Sequence, residues 1–427
     1  MRDYCRLVDK IRFIIILFFI FYYAMLEESI FAYDNLLSWE ECIILTKGNN
    51  PRLSMAKKDL EKAMVEIKTK YANYFPEINF STDYTRTFNN LYGEYGVYSK
   101  GFSIEQALYT GGATPAEIEE AKANLSYKYA EYKKIELDEI FELKQVYYQL
   151  IKTMYQREVF EEILRRREKD VELIRLLYNA GREKKANLLQ AEAEVSEVKL
   201  NINEANSQLK ILKCKLNEIM GRNLDTPLEV KGELGIVDLE DSLSNILEEA
   251  LANRPEIREV EAKINATKAQ LKYAKSGILP QANFNYTYGW QDSRLFHGNE
   301  NWTAKVSVDF PLFDRFITHY QIKGIRTELE RLNLNKEMKR KQIELEVKEA
   351  YEDFLINKQS VDVATESLRA RRVRADLCRL EYKQGMISFT DLRDAELDLS
   401  SAELNRLDAL YNLNISLAKL KKVQAKE

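Results

Sequence analysis

Two carboxylates form the pair with the clearest capacity for chemistry. Asp391 and Asp394 lie three residues apart at the start of a predicted helix, so they leave the same face. Paired acids can hydrolyse a glycosidic bond, but only within a sugar-binding cleft, and the long helices predicted here supply none. The pair also has a purely structural explanation. Ser388 or Thr390 would cap the helix, and acids in its first turn complement the helix dipole. Other reactive groups are scarce. The cysteines, Cys5, Cys42, Cys214 and Cys378, are scattered with no CxxC pair, and the two histidines, His297 and His319, are isolated. With no HExxH, phosphate-cradling glycine loop or Ser/Cys–His pairing, the sequence predicts no enzyme, no metal site and no cofactor.

The chain that positions these residues has 427 of them, 45% apolar and 31% charged, with only 7 prolines and 15 glycines. Scarce loop formers favour long helices. The 64 basic and 68 acidic side chains nearly cancel, and basic runs such as Arg165, Arg166, Arg167 are interrupted at once by acids, which argues against a nucleic-acid partner.

The chain is written twice. A constant offset of 204 residues carries Pro51 onto Pro255, Pro76 onto Pro280, Leu108 and Tyr109 onto Leu312 and Phe313, Tyr178 onto Tyr382, Gly181 onto Gly385, Leu188 onto Leu392 and Ala191 onto Ala395. The predicted organisation is a segment 1–32 followed by a first repeat, 33–220, with strands at 77–89 and 97–109 and helices at 39–74, 114–181 and 187–220. A linker at 221–238 leads to a second repeat, 239–427, with strands at 281–292 and 302–313 and helices at 242–277, 316–384 and 389–424. Each opening helix breaks once near its proline. The next follows Gly111 and Gly112, with Thr114 as the expected N-cap and Pro115 at the first helical position, and runs about 65 residues, near 100 Å. A helix of that length must pack along its whole extent, coiled-coil fashion. The return helix covers about half the distance, so the opening helix of the same repeat is expected to stack end to end with it.

The four strand segments alternate cleanly. Phe80 and Tyr84, Phe102 and Ile104, Phe284, Tyr286 and Tyr288, and Val306, Val308 and Phe310 fall on apolar faces, with Asn, Ser, Thr, Asp and Lys between them. A soluble sheet covering a core gives such alternation too, at lower aromatic content. Runs of about 11 residues with aromatics along one face fit tilted strands crossing a bilayer, where these residues would meet lipid. Arg86 is the misfit on that face and must sit near an interface or snorkel. Four strands cannot close a barrel, and open edges cannot face lipid, so a membrane sheet requires several chains. Two copies would give a filled barrel of eight strands; three would give twelve and a lumen.

At the N-terminus, Arg2, Arg6, Lys10 and Arg12 precede the apolar run from Phe13 to Met25 and then Ile30, Phe31 and Ala32. This reads as a secretory signal cleaved after Ala32, with an uncleaved anchor as the alternative.

Together these residues resemble the outer membrane efflux proteins of the TolC type. The resemblance rests on the duplicated unit, the Asn50-Pro51 and Arg254-Pro255 breaks, Pro76 and Pro280 before strands, Leu108-Tyr109 before Gly111-Gly112, and the Tyr-x-x-Gly turns at Tyr178 and Tyr382. It implies a mixed α and β membrane protein: a homotrimer whose twelve-stranded β-barrel crosses the outer membrane and continues as a long periplasmic α-helical barrel of coiled-coil hairpins. The implied function is a passive exit duct for efflux or type I secretion. Its implied partners are outer membrane lipid, a periplasmic adaptor (membrane fusion) protein and an inner-membrane RND, ABC or MFS transporter. The resemblance places Asp391 and Asp394 in a ring at the periplasmic aperture, Tyr382 in the lock that holds it shut, and adaptor contact at the turns marked by Tyr178, Gly181, Tyr382 and Gly385. Asn187 and Gln190 replace the two acids in the first repeat, so the shared architecture does not require them. The arginine that assists the lock elsewhere in the family falls at Ile387. The competing reading is a periplasmic coiled-coil adaptor or tether held by an uncleaved N-terminal helix.

Overall fold

The computed structural model describes residues 36–90, 93–239, 241–293 and 298–426. The expected signal at 1–32, with Cys5, and His297 lie outside them. In chain order the elements are β1 (Leu36–Leu37), α1 (Trp39–Asn49), α2 (Pro51–Ala72), β2 (Glu77–Asn89), β3 (Gly93–Tyr109), α3 (Ala113–Asn179), α4 (Lys185–Ile219), β4 (Glu229–Val230), α5 (Leu243–Asn253), α6 (Pro255–Ser276), β5 (Gln281–Asp292), β6 (Asn299–Asp309), α7 (Ile317–Gln384) and α8 (Phe389–Val423). They divide into two compact units, with limits Met1–Thr46 and Gln149–Leu234 for one, Lys47–Tyr148 and Gly235–Glu427 for the other.

The prolines act as the two halves predict. Asn50 and Arg254 take nearly identical extended backbone, φ −59° and ψ 125° against −58° and 126°, and Pro51 and Pro255 open the next helix. Each opening segment is therefore two helices. The breaks are clamped by different chemistry. Asn50 donates to Glu139 at 2.8 Å with Arg52 at 2.9 Å beside it. Arg254 instead forks onto Glu256 at 2.9 and 2.8 Å and reaches Glu346 at 2.7 Å.

In the larger unit, α8 packs along one part of α7 and α5–α6 along another. They meet in one apolar cluster, where Leu420 and Val423 from the end of α8 join Ile246 and Ala250 of α5 and Ile257 of α6 against Ile343, Val347 and Ala350 of α7. This junction gives the short helices a continuous partner. In α4, Leu188, Ala191, Val198, Ala205, Leu209, Leu212 and Leu216 are buried, at the three-, four- and seven-residue spacing of a coiled-coil seam. Every residue at the same offset in α8 is buried as well: Leu392, Ala395, Ala402, Ala409, Leu413, Ser416 and Leu420. Within the smaller unit the inter-repeat linker forms an unexpected pair, β4 running parallel to β1 with Leu37 opposite Val230. The buried Asn217 helps to pin the linker, donating to the carbonyls of Leu224 and Thr226 at 3.1 and 2.8 Å.

The sheet has the order β2-β3-β5-β6, antiparallel throughout, and among the described residues the outer edges of β2 and β6 have no partner strand. Three expected strand boundaries move, one of them the start of β6, which lies at Asn299 and not residue 302. β3 starts at Gly93, not residue 97, because the hairpin ladder continues to the Asn89–Gly93 pair. β6 ends at Asp309, so Phe310 lies beyond the strand; the following Pro311 has no N–H to extend the ladder.

Sheet and long helix join through an unusual turn. Gly111 and Gly112 have φ of 64° and 91°; at the same offset Arg315 and Phe316 have φ of 58° and 63°. A Cβ on Gly111 would lie 2.9 Å from the Ser276 carbonyl oxygen, so the first copy needs glycine there. The expected Thr114 cap is also corrected. The Thr114 amide donates back to the Thr110 hydroxyl at 3.2 Å, and in the second copy Thr318 donates to the Asp314 carboxylate at 2.8 Å. With two left-handed residues before the helix, the side chain four positions earlier reaches the amide.

Candidate functional site

Strand pairing converts the sequence alternation into rows. Phe80 lies opposite Phe102, Phe102 opposite Tyr288 and Tyr288 opposite Trp302; the neighbouring row is Ile78, Ile104, Tyr286 and Ala304. Phe284 faces Val306, and Ala282 faces Val308. Rings of Phe80 and Phe102 sit 4.9 Å apart, those of Tyr84 and Tyr98 4.6 Å. Cross-strand contacts of this kind bind neighbouring strands while leaving the outer face apolar. Phe80, Tyr84, Phe102, Val306 and Val308 are exposed, as is Phe310 beyond the strand. The opposite face is polar, with Asn285 donating to Glu105 at 3.2 Å.

The apolar face has a sharp limit that the alternation alone did not reveal. In the row Thr82, Lys100, Trp290, Glu300, charge enters the same face, and the Lys100 ammonium lies 5.9 Å from the Trp290 ring. Arg86 lies farther toward the β2–β3 turn and pairs with Glu94 at 3.0 Å. Its charge is thus neutralised at the end of the strand.

The second set of candidate residues gathers at helix ends. Tyr178 and Tyr382 lie in the last turns of α3 and α7, and in both the tyrosine carbonyl accepts from the glycine amide, Gly181 at 2.9 Å and Gly385 at 3.0 Å. Gly181 and Gly385 have φ of 72° and 76°, the left-handed conformation that closes a helix C-terminus. This explains the Tyr-x-x-Gly spacing by backbone geometry. The tyrosines differ, however: Tyr382 is 4% exposed, Tyr178 37%.

Asp391 sits in a reciprocal capping box. Its carboxylate accepts from the Ser388 hydroxyl at 2.6 Å and amide at 3.0 Å, while its own amide donates to Ser388 Oγ at 3.2 Å. Those bonds, the hydroxyl's first, hold the exposed Asp391 carboxyl below the usual carboxylate range. Asp394 is gripped by Arg393 at 2.9 and 3.2 Å. In the first copy Lys184 stands at the cap position without a side-chain bond, and Asn187 donates instead to Glu183 at 2.7 Å. Ile387 is half-buried.

What the sequence reading missed lies between the hairpin helices: the buried Glu396 with Arg379, and Asp398 with Arg371 and Arg374. A signal existed, since the same offset places Arg175 and Glu192 in the first copy. Among the described residues no group of acids, histidines or cysteines is arranged to hold a metal ion, and no helix is long and apolar enough to cross a membrane.

An open four-stranded sheet with an aromatic face and two unpaired edges, borne on paired helices, defines a subunit of a membrane channel that several copies build. Residues 43–222 and 246–425 match the outer membrane efflux protein family, and the chain belongs to that family. It is similar to Protein CyaE of Bordetella pertussis (strain Tohama I), 23% identical over 372 residues that cover 85% of this chain and 78% of the relative. Among solved structures it is similar to CusC, with a TM-score of 0.81 at 18% identity over 91% of this chain and 92% of the other. The outer membrane protein VceC of Vibrio cholerae gives 0.79 at 16% identity over 91% and 96%. The protein is accordingly an outer membrane efflux channel with a large periplasmic helical part, and the tether reading is set aside.

Proposed function

We propose that the channel is a homotrimer acting as a passive exit duct, opened at its periplasmic end by an adaptor protein and an inner-membrane transporter of the RND, ABC or MFS class. The observation that carries this is the pair of open edges, β2 and β6, on a sheet with one face apolar up to the row of Lys100 and Glu300. In hydrocarbon each unpaired amide or carbonyl costs several kcal/mol, so the edges must meet those of neighbouring copies. Three copies supply twelve strands and a lumen. The face bearing Phe80, Phe102, Tyr288 and Val306 then meets lipid.

At the other end, Asp391 and Asp394 of three chains form a ring of carboxylates, with Tyr382 in the lock and the two glycine turns as adaptor contacts. The capping role of Asp391 is compatible with this, because the Ser388 bonds favour the ionised carboxylate. A negative constriction attracts cations. In planar bilayers, Asp391→Ala with Asp394→Ala is expected to reduce cation selectivity and block by divalent cations, and Tyr382→Phe to raise conductance. Unchanged selectivity and block in the double variant would remove the aperture assignment.

A further inference from the structure

Ion pairs cross both helical hairpins at matching heights. Arg379 bonds Glu396 between α7 and α8, and at the same offset Arg175 bonds Glu192 at 2.7 Å between α3 and α4. Arg371 meets Asp398 at 3.4 Å, and its counterpart Arg167 meets Glu194 at 3.4 Å. The third rung changes sign: Arg372 with Glu403 at 3.4 Å corresponds to Glu168 with Lys199 at 3.3 Å. There neither residue is retained, yet the attraction is. What the two copies share is opposite charge at fixed heights, and that defines helix register. A slip of one residue moves a helix about 1.5 Å and turns its side chains by about 100°, which separates every pair.

The hairpins differ in what lies between the rungs. Val171 and Ile174 are buried in α3, whereas α7 has the smaller Ala375 and Cys378 at the equivalent places, beside Ala395 and Leu399. The most buried ion pair also changes rung, from Arg167 with Glu194 in the first copy to Arg379 with Glu396 in the second. Arg374 adds a bond to Asp398 at 2.6 Å, and Glu396 is only 1% exposed where its counterpart Glu192 is 39% exposed. A buried carboxylate gripped by a guanidinium is far less screened by solvent than an exposed pair. Arg379 lies one turn before Tyr382, and Glu396 two residues after Asp394.

We infer that Arg379 and Glu396, with Asp398 and its two arginines as the next rung, are positioning residues: they lock the register of α7 against α8 and thereby set Tyr382 relative to Asp391 and Asp394. The inference rests on the reading of those residues as the aperture.

The test uses the full-length channel carrying Ala395→Cys, which faces the native Cys378 seam, with the 378–395 linked peptide followed by mass spectrometry during mild oxidation. Glu396→Gln is expected to slow this disulfide at least fivefold and to raise single-channel conductance in bilayers at least twofold. Exchanging the charges, Arg379→Glu with Glu396→Arg, is expected to restore both to within twofold, a rescue that lost packing would not give. With the oligomer intact by native mass, an unchanged cross-linking rate in Glu396→Gln overturns the inference, as does slowed cross-linking without a conductance change. Failure of the charge exchange to rescue overturns it too. If Glu396→Gln behaves as expected while Asp391→Ala with Asp394→Ala leaves selectivity unchanged, the aperture reading fails and the register lock is supported.

Discussion

At the scale of single residues, Ser388 and Asp391 show how one carboxylate can serve structure and charge together. The capping box satisfies amides at the start of α8, and replacing such a serine with alanine costs about 1 kcal/mol. Asp391 has its folded pKa below the unfolded value of roughly 3.9, so the stability it contributes is complete above that value and is lost as pH falls through the lower folded one. Ser388→Ala is therefore expected to lower the melting temperature at neutral pH. It should also move the acid-unfolding midpoint to higher pH, because the carboxylate loses the bonds that keep it ionised. Circular dichroism of the detergent-solubilised channel across pH 2 to about 7 checks both; an unchanged acid midpoint would mean that the box does not form. Cys42 shows the contrasting case of a titratable group with no chemical assignment: burial pushes its thiol up to about 12, as for an inert core side chain.

At the scale of elements, the sheet-to-helix turns are the most informative difference between the copies. Both cap their long helix from four residues back, through Thr110 and Asp314, and both need two left-handed residues to do so. The first uses glycine. The second holds Arg315 and Phe316 there, at a cost of roughly 1–2 kcal/mol each. Arg315→Gly relieves that strain, while the freer unfolded chain returns up to about 1 kcal/mol, so net stabilisation of about 0.5–1 kcal/mol is expected. Phe316→Gly relieves as much but loses an edge-to-face contact with Phe313 at 5.5 Å, worth about 0.5–1.5 kcal/mol, and should be close to neutral. Melting temperatures of the two variants separate the effects; a destabilised Arg315→Gly would show that the arginine side chain contributes more than its backbone strain removes.

At the scale of the whole molecule, the near balance of 64 basic and 68 acidic side chains leaves little net charge to keep copies apart, while the open edges of β2 and β6 favour their joining. Purified channel in mild detergent is expected to have three times the mass of the mature chain by native mass spectrometry and to aggregate when detergent is removed. A stable monomer in plain buffer would contradict the pore, the aperture ring and the export role together. Much of this was legible beforehand, for identifiable reasons. The 204-residue offset exposed the duplication, and Pro51, Pro255, Gly181 and Gly385 punctuate helices through backbone constraints that act within a few residues. Period-two alternation marked Phe80, Phe102, Tyr286 and Val306 as one face, since side-chain direction along a strand is a local property. The limit of that face at Lys100 and Glu300 required strand register. The cap from Thr110 and the left-handed Arg315 and Phe316 depended on a turn for which Gly111-Gly112 gave a signal in one copy only. The sequence by itself determined the repeat, the element types and the need for more than one copy, because each follows from spacing along the chain. Only the tertiary structure decided that Arg379 meets Glu396, that Asp391 caps its helix and that β4 runs beside β1, because these contacts depend on how separate segments are placed in space.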